Sequence, residues 1–278
     1  SDVDSYLKLL EASEKACEYY TGANIGIGIH SMRGVEPLLI KEIAENGPQS
    51  IPFHIHVSEQ LKEIEDSISY LGKRPVEWLL ENINLSDRYH LVHATHLVKQ
   101  ETLGIAKSGA NVVLCPSTEG NLGDGIFPLH DFHDANGKWS IGTDSHIGIN
   151  PLEELRILDY GQRLTTHRRD TFASNHGDSG RFGIDMALLS GRKAMNNFSS
   201  EYFSVGQSLN VAIMKADSPL LQNTSDKLIL STMLYSSDAS CHDGTIVNGE
   251  LIVSNGVHLK LEEIQSSFSA TIKELGNR

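Results

Sequence analysis

The stretch "IPFHIHVSEQ", residues 51–60, places two histidines at alternate positions of an apolar run and a glutamate three residues after the second histidine. Side chains two residues apart on a strand face the same side, so His54 and His56 share one face. Only His56, nearer the carboxyl end, and Glu59 just beyond it can reach the edge where the strand finishes. The stretch therefore predicts a buried strand that brings an imidazole and a carboxylate to one end of a sheet.

Four further β-rich runs alternate with helical stretches over the first 200 residues. These runs are "NIGIGIH" (24–30), "YHLVHAT" (89–95), "ANVVLCP" (110–116) and "KWSIGTD" (138–144). Strands that alternate with helices predict a parallel sheet. Each strand carries, at or just after its end, polar residues that could do chemistry: His30, His56 with Glu59, His93, Ser117 with Thr118, and Asp144.

This placement separates two kinds of parallel α/β fold. In a (β/α)8 barrel the catalytic groups lie at the carboxyl ends of several strands, whereas a doubly wound sheet centres its ligand on one glycine-rich turn. The pattern favours a TIM-like barrel of the α/β class. A closed barrel needs eight strands, and this chain offers five before its character changes near residue 200.

The last third of the chain has a different pattern. It contains short alternating runs split by glycine and asparagine, which predict a small antiparallel β unit: "FSVGQSLNVAIMKAD" (203–217), "DKLILSTML" (226–234) and "GTIVNGELIVSNGVHL" (244–259). Apolar residues at helical spacing predict a final helix over about 261–275. We therefore assign residues 1–200 to five βα units of a barrel and residues 201–278 to part of a small β-sandwich with a terminal helix.

Charge and cysteine content exclude several classes of partner. The net charge is −13 and the 23 basic residues are scattered, which argues against nucleic acid or an anionic membrane as a partner. No apolar run approaches the length of a membrane span. The three cysteines are far apart and odd in number, which is typical of reduced thiols. We expect a cytoplasmic protein that acts on a small molecule.

His56, Glu59, His93 and Asp144 are expected to converge at the mouth of the barrel. Histidine nitrogens and a carboxylate suit Zn²⁺, and a catalytic zinc site keeps one position open for water. Two alternatives stay open: His93 could be a core histidine bonded to a backbone carbonyl, and Asp144 could cap the next helix. For the second, Asn150 just before a proline is the better cap.

The histidines outside these strands carry no predicted function. Four of them lie in predicted loops, and we assign them no role: His96, His130, His133 and His146.

Three motifs in order, "HVSE", the "HAT" strand and the "TDSH" strand, resemble the amidohydrolase superfamily in its branch of zinc aminohydrolases. More narrowly, "GIHSMRGV", "HIHVSEQ", "LVHATH", "STEGNLGDGIFPLHDF", "GTDSH" and "EELRILDYGQRL" resemble the formimidoylglutamate deiminases. Those enzymes of histidine degradation hydrolyse N-formimino-L-glutamate to N-formyl-L-glutamate and ammonia. The resemblance covers about residues 20–200 and continues more weakly to the end, and within it "STEGNLGDG" looks like the family's specificity loop.

The resemblance implies a role for each matching residue. His56 and Asp144 would be zinc ligands, Glu59 the proton shuttle, and His93 a hydrogen-bond donor to the substrate or to the oxygen on the zinc. In "HSMR", His30 ends a strand and Arg33 follows it, so the two suit a substrate carboxylate. The alternative for Arg33 is a surface pair with Glu36.

The chain departs from the family pattern in two respects: Gly120 stands where alanine is expected in the specificity loop, a small change that loosens the backbone, and two zinc ligands are missing. The family takes two further zinc ligands from an HxH on the first barrel strand, and no such strand precedes residue 24. We therefore expect this chain to be the C-terminal part of a larger protein, holding barrel strands 4–8, and the resemblance suggests a homodimer. The alternatives are a related aminohydrolase acting on a purine or another imine, and a non-catalytic protein that lacks the metal.

Overall fold

A computed structural model describes residues 2–173, 177–199 and 203–276. The chain divides into two compact units, Ser1–Ser200 and Glu201–Arg278.

The first unit alternates helices and strands. In chain order its elements are α1 (Val3–Cys17), β1 (Ile27–Ile29), α2 (Pro37–Asn46), β2 (Phe53–Val57), α3 (Leu61–Leu71), α4 (Pro75–Asn82), β3 (Tyr89–His93), α5 (Lys99–Ser108), β4 (Asn111–Leu114), α6 (Pro116–Leu122), α7 (Leu129–Asp134), β5 (Lys138–Ile141), α8 (Pro151–Thr166) and α9 (Ser179–Ala194). The five predicted strands are confirmed, each as a shorter segment within its β-rich run.

The five strands form one parallel sheet in the order β1-β2-β3-β4-β5. Sequential parallel strands need a crossover connection between each pair, and the intervening helices provide it. All five strands therefore point the same way, and their carboxyl ends meet at one edge of the sheet.

The two faces of this sheet differ in chemistry. One face carries large apolar side chains that are fully buried: Ile27, Phe53, Leu91, Val112 and Trp139. Burying each such side chain contributes about 1.5–3 kcal/mol to folding. The other face carries one row of register partners that are mostly polar: Gly28, His54, His90, Asn111 and Lys138. The alternation of strand side chains thus gives an apolar face and a polar face.

Helix α8 begins where the sequence predicts. The Asn150 side chain accepts hydrogen bonds from the backbone N–H groups of Leu152 and Glu153, and Pro151 occupies the first helical position. Asn150 is therefore the cap of α8, and Asp144 lies six residues upstream of the cap position.

The free edge of β1 is covered by a side chain of α1. The hydroxyl of Tyr6 accepts a hydrogen bond from the Gly28 N–H (3.1 Å) and donates one to the Gly28 carbonyl (3.2 Å). These are the groups that an adjacent strand would otherwise bond. Tyr6 thus satisfies the outward-facing backbone of β1 at this position.

The second unit contains β6 (Val211–Met214), α10 (Pro219–Gln222), α11 (Ile229–Ser236), a 3₁₀ turn (Ala239–Cys241), β7 (His242–Val247), β8 (Glu250–Ser254), β9 (Val257–His258) and α12 (Leu261–Gly276). Its strands form one antiparallel sheet of four strands in the order β6-β7-β8-β9. The antiparallel arrangement and the final helix agree with the sequence prediction.

Turn chemistry explains the two hairpins of this sheet. Asn248–Gly249 and Asn255–Gly256 all have positive φ values, between 50° and 85°. This is the conformation of a type I′ turn, whose twist matches that of the flanking strands and which favours Asn-Gly.

One segment of the second unit was predicted wrongly. "DKLILSTML" (226–234) has an alternating pattern but lies largely in helix α11. A short apolar run fits both the strand and the helix period. Leu230 and Leu234, four residues apart, share one face of the helix, and Leu234 is fully buried.

Within the described residues, no helix is both long enough and apolar enough to cross a bilayer.

Candidate active site

The carboxyl edge of the parallel sheet brings together three side chains with metal-binding atoms. His56, His93 and Asp144 each offer one such atom, and these atoms lie within 4.8 Å of one another. In the described part of the chain no other group of three or more His, Cys, Asp or Glu side chains converges in this way. The sequence prediction that these strand ends meet thus agrees with the geometry.

The backbone takes an unusual conformation at these strand ends. Ser58, His93, Ala94 and Asp144 have φ values between 49° and 68°. Residues other than glycine rarely occupy this left-handed region, and each instance costs on the order of 1–3 kcal/mol. Such conformations cluster at functional sites, where the surrounding structure holds them in place.

His56 is oriented by a backbone carbonyl. Its Nδ1 lies 2.7 Å from the carbonyl oxygen of His30, and because a carbonyl only accepts hydrogen bonds, Nδ1 must carry the proton. The lone pair of Nε2 is then free for a metal ion, as in most histidine ligands whose other nitrogen is hydrogen-bonded. The two imidazole rings, of His30 and His56, lie 5.4 Å apart.

His93 is fully buried among carboxylates. Its Nε2 lies 3.4 Å from Oδ2 of Asp144 and 3.6 Å from Oε1 of Glu59, and its Nδ1 lies 3.2 Å from Oε1 of Glu119. Burial alone lowers the pKa of His93, but the hydrogen bond to Glu119 and the nearby negative charges outweigh it, so the pKa is raised. His93 therefore bonds a carboxylate rather than the backbone carbonyl of a core histidine.

Glu59 is placed by a second glutamate. The carboxylate of Glu63 accepts hydrogen bonds from the backbone N–H groups of Ser58 and Glu59, each at 2.9 Å. This arrangement fixes the loop that follows β2 and buries the Glu59 side chain beside His93.

The side chain of Arg33 also contacts Glu59. Its Nη2 lies 2.5 Å from Oε2 of Glu59. Glu36, the alternative partner considered for Arg33, instead accepts a hydrogen bond from the Tyr70 hydroxyl at 2.8 Å. The fully buried Ser31 connects this loop to His30: its Oγ lies 2.8 Å from Nδ1 of His30 and accepts a hydrogen bond from the Arg33 backbone N–H at 3.1 Å.

Sequence reasoning missed the buried glutamates that support the site. Glu119 accepts a hydrogen bond from the Cys115 backbone N–H at 2.9 Å besides contacting His93, and Glu154 of α8 accepts bonds from the Ser117 backbone N–H and hydroxyl. Glu63 and Glu119 share a signal: each follows a strand closely, in the first turn of a helix, where acidic residues bond free N–H groups. The stretch interpreted as the specificity loop begins as this helix, α6.

His54 lies one row further from the carboxyl edge and has a structural role. One ring nitrogen, Nε2, donates to the Ala194 carbonyl at 2.9 Å, and the ring stacks on His90 at 4.8 Å. Burial lowers the pKa of His54, and it lowers the pKa of His90 to about 3. His54 therefore stays in the core while His56 reaches the site.

The loop prediction was wrong for His130 and His133, which lie in helix α7. His133 and His146 make structural contacts. His133 Nε2 accepts a hydrogen bond from the Trp139 indole at 2.7 Å, and His146 Nδ1 accepts one from the Gly148 N–H at 3.0 Å.

The donor set fits zinc. Imidazole nitrogens and a carboxylate oxygen are typical zinc ligands, and the oriented Nε2 of His56 matches the usual arrangement of a ligand histidine. The Nε2 of His93 is buried and has no hydrogen-bond partner in the described structure, so it too faces the position where an ion or a reacting group would lie. The three possible ligand atoms, all within 4.8 Å of one another, are close enough to face one ion.

Comparisons with known proteins agree with this geometry. The model of the "Amidohydrolase family" matches residues 2–252. The chain is 35% identical over 273 residues to "Formimidoylglutamate deiminase" of Pseudomonas aeruginosa, covering 98% of this chain and 60% of that protein. It is 27% identical to "5-methylthioadenosine/S-adenosylhomocysteine deaminase" of Halobacterium salinarum, covering 84% of this chain and 53% of that protein.

Among solved structures, an amidohydrolase from Brucella melitensis is similar, with a TM-score of 0.91 and 36% identity, over 99% of this chain and 60% of that one. An adenosine deaminase from Xanthomonas campestris with bound zinc shares the fold, with a TM-score of 0.85 at 19% identity over 99% of this chain and 62% of that one. The chain thus spans less than two thirds of the length of these relatives. With a family match over most of its residues, the chain belongs to the amidohydrolase family.

Proposed function

We propose that the chain carries the metal-binding and proton-transferring part of a hydrolytic deiminase, which converts N-formimino-L-glutamate to N-formyl-L-glutamate and ammonia. The observation that carries this proposal is the convergence of His56, His93 and Asp144 next to Glu59, which itself binds Arg33. The similarity to a protein named formimidoylglutamate deiminase supports the choice of substrate.

In this proposal the five parallel strands are strands 4–8 of a (β/α)8 barrel. The polar row on one sheet face then lies on the inner side, and the carboxyl edge with the candidate site forms the mouth. The similarity to the Brucella melitensis amidohydrolase over nearly the whole chain supports this placement. Two further histidine ligands, from an HxH segment outside these 278 residues, would complete the metal site.

His56, through Nε2, and Asp144, through its carboxylate, would hold the zinc. When bound, zinc lowers the pKa of a water molecule and so supplies a nucleophile at neutral pH. Asp144 also accepts a hydrogen bond from the attacking water. His93, whose Nε2 lies 3.4 Å from Asp144, would donate from Nε2 in its doubly protonated form, which its raised pKa favours.

Glu59 moves the proton. Its carboxylate takes a proton from the water that adds to the formimino carbon and passes it to the leaving nitrogen. The second proton of the water leaves the hydroxyl as the formyl carbonyl forms and also ends on that nitrogen, which departs as ammonia. One water molecule is consumed, one carbon–nitrogen bond breaks, and the formyl group remains on the glutamate nitrogen. The buried position of Glu59, held by Glu63, keeps this carboxylate at the reacting centre.

The substrate carboxylates would bind Arg33 and His30. A guanidinium forms charge-assisted, bidentate hydrogen bonds with a carboxylate. Arg33 is about one third exposed, so it is accessible from the mouth while it contacts Glu59. Ser31 holds both residues in this position through its hydroxyl.

A second candidate is deamination of a purine nucleoside. The similarity to 5-methylthioadenosine/S-adenosylhomocysteine deaminases favours it. A neutral purine offers no negative group to a guanidinium, so Arg33 favours the carboxylate-bearing substrate.

We further propose that the protein is a cytoplasmic homodimer whose partner is a small molecule rather than nucleic acid or a membrane. The net charge of −13 supports the absence of a nucleic-acid or membrane partner, and the isolated cysteines support the cytoplasmic setting; the homodimer rests on the family resemblance.

The deciding experiment measures ammonia release from N-formimino-L-glutamate by zinc-supplemented protein that includes the HxH segment, with adenosine and guanine as comparison substrates. Release from the formimino compound alone supports the proposal. Release from adenosine or guanine alone would replace it with the purine reaction, and release from none would favour a non-catalytic protein.

A further inference from the structure

Glu119 connects the end of one strand to a side chain of the next. It lies in the first turn of α6, directly after β4, and is 4% exposed. A single oxygen, Oε1, lies 2.9 Å from the Cys115 backbone nitrogen and 3.2 Å from Nδ1 of His93. The backbone bond anchors the carboxylate, so the carboxylate can hold the imidazole of β3 in place.

This contact determines which nitrogen of His93 faces the site. A carboxylate accepts hydrogen bonds, so the nitrogen next to Glu119 is the protonated Nδ1. The opposite nitrogen, Nε2, then points at Glu59 and Asp144 and has no other hydrogen-bond partner in the described structure. Without Glu119, a neutral ring that is fully buried could carry its proton on either nitrogen.

Other buried glutamates of this unit act differently. Glu63 uses its two oxygens for two backbone N–H groups, and Glu154 bonds the backbone and hydroxyl of Ser117. Glu119, in contrast, accepts hydrogen bonds both from the Cys115 backbone N–H and from the His93 imidazole. Carboxylates that hold a histidine in this way fix its tautomer and orientation.

We infer that Glu119 is a positioning residue for the reaction: it holds His93 with Nδ1 protonated and Nε2 directed at the reacting centre. This inference rests on the proposed function, in which His93 contacts the substrate or the attacking water. The ring geometry itself does not depend on which substrate is used.

The test is the tautomer of His93 in zinc-free protein, at a pH high enough for the ring to be neutral. Long-range ¹H–¹⁵N spectra of histidine-labelled protein, with His93 assigned by loss of its signals in a His93→Gln variant, identify the protonated nitrogen. The wild type is expected to show Nδ1 protonated. Glu119→Ala is expected to shift the proton toward Nε2, and Glu119→Gln, whose amide oxygen still accepts, is expected to restore Nδ1.

Glu154→Ala is the matched control, because it removes a buried glutamate from the same neighbourhood without touching His93. Its His93 signals should equal those of the wild type. Unchanged His93 signals in Glu119→Ala, or the same change in Glu154→Ala, would overturn the inference. If Glu119→Ala fails to fold in a thermal melt, Glu119→Asp, whose carboxylate is one methylene shorter, is expected to show the shift instead.

Kinetics give a second readout. In zinc-loaded protein, Glu119→Ala is expected to lower kcat about 10- to 100-fold with KM changed less than about threefold, and Glu119→Gln to recover most of that loss. An unchanged kcat would contradict the positioning role. A wild type that includes the HxH segment and still releases no ammonia would refute the proposed function, whereas the tautomer measurement would still decide whether Glu119 holds the ring.

Discussion

Nη2 of Arg33 lies 2.5 Å from Oε2 of Glu59, while the other oxygen of the same carboxylate lies 3.6 Å from Nε2 of His93. One buried carboxylate therefore contacts a cation at the rim of the site and the imidazole at its centre. A substrate carboxylate that binds Arg33 competes with Glu59 for the guanidinium. Binding of the substrate to Arg33 is thus expected to release Glu59, the proton acceptor, from its ion pair with Arg33.

Replacing Arg33 with Ala is expected to lower kcat/KM for N-formimino-L-glutamate at least about tenfold, because a charge-assisted hydrogen bond contributes about 1.5–3 kcal/mol. The loss should appear mainly in KM. Arg33→Lys should lose part of the activity, since an ammonium cannot bind a carboxylate through two parallel N–H groups. Steady-state ammonia release measures both, and Tyr70→Phe, which removes only the bond to Glu36, is the control. An equal loss with a neutral purine would argue against carboxylate binding.

Glu59→Gln is expected to lower kcat by about 10²- to 10⁴-fold, because the amide cannot accept and return a proton. Bound zinc, measured by elemental analysis, should stay unchanged, since Glu59 is not expected to be a ligand. Glu65→Gln, on the exposed face of α3, should have little effect on either quantity. Loss of zinc together with loss of activity would instead make Glu59 a ligand.

In protein that includes the HxH segment, zinc is expected to stabilise the first unit against heat. An ion that binds the folded state at about 100 times its Kd adds about 2.7 kcal/mol to the free energy of unfolding. His56→Ala and Asp144→Ala should abolish the zinc-dependent rise in Tm and a chelator should reverse it, whereas His167→Asn, at the exposed end of α8, should keep it. A full rise in Tm in His56→Ala would place the ion elsewhere.

The fold could be predicted from the sequence where local chemistry and tertiary packing agree. Short sequence patterns that fit a single local structure predict three features: the five parallel strands, the Asn150 cap and the Asn-Gly hairpins. Helix α11 was missed because a short apolar run fits both the strand period and the helix period, and the choice between them depends on tertiary packing such as the burial of Leu234.

The candidate site was predictable for a similar reason. The carboxyl ends of parallel strands share one edge, so His56, His93 and Asp144 had to approach one another once the sheet was parallel. Contacts of Arg33 with Glu59, and of Glu119 with His93, depend on side-chain conformations in loops and first helical turns. The spacing of residues in the sequence does not predict these side-chain conformations.

Acid is expected to destabilise the first unit through His90. Burial lowers the pKa of His90 to about 3, whereas an unfolded histidine has a pKa of about 6.5. As the pH falls below about 6.5, the unfolded chain binds the proton first, so the stability present above that pH is lost progressively toward about pH 3.

His90→Leu removes this titration and is expected to flatten the loss of unfolding free energy between about pH 7 and pH 4.5. Urea unfolding at several pH values measures the change. The exposed His167→Asn should keep the wild-type pH dependence. If the free energy of unfolding falls with pH equally in His90→Leu and in the wild type, His90 does not limit stability in acid.

Two glycine-to-alanine substitutions in helices are expected to change the free energy of unfolding in opposite directions. A Cβ at Gly120, on the exposed face of α6, would meet no atom within 4 Å, so Gly120→Ala should stabilise by about 0.5–1 kcal/mol. A Cβ at Gly183 in α9 would lie 2.8 Å from the buried Phe172 ring, so Gly183→Ala should destabilise by about 1–3 kcal/mol. Thermal melts of both variants test this, and a shift of the same sign in both would contradict it.

The hydroxyl of Tyr6, bonded to both backbone groups of Gly28, bears on the behaviour of the protein at high concentration. An exposed strand edge is a template on which another chain can add a strand, and this is a common origin of aggregation. A single phenol blocks that template at the middle residue of β1, a strand of only three residues. Where the neighbouring barrel strand is not paired with β1, one oxygen atom protects this position of the edge, and Tyr6→Phe would remove it while leaving the ring in place.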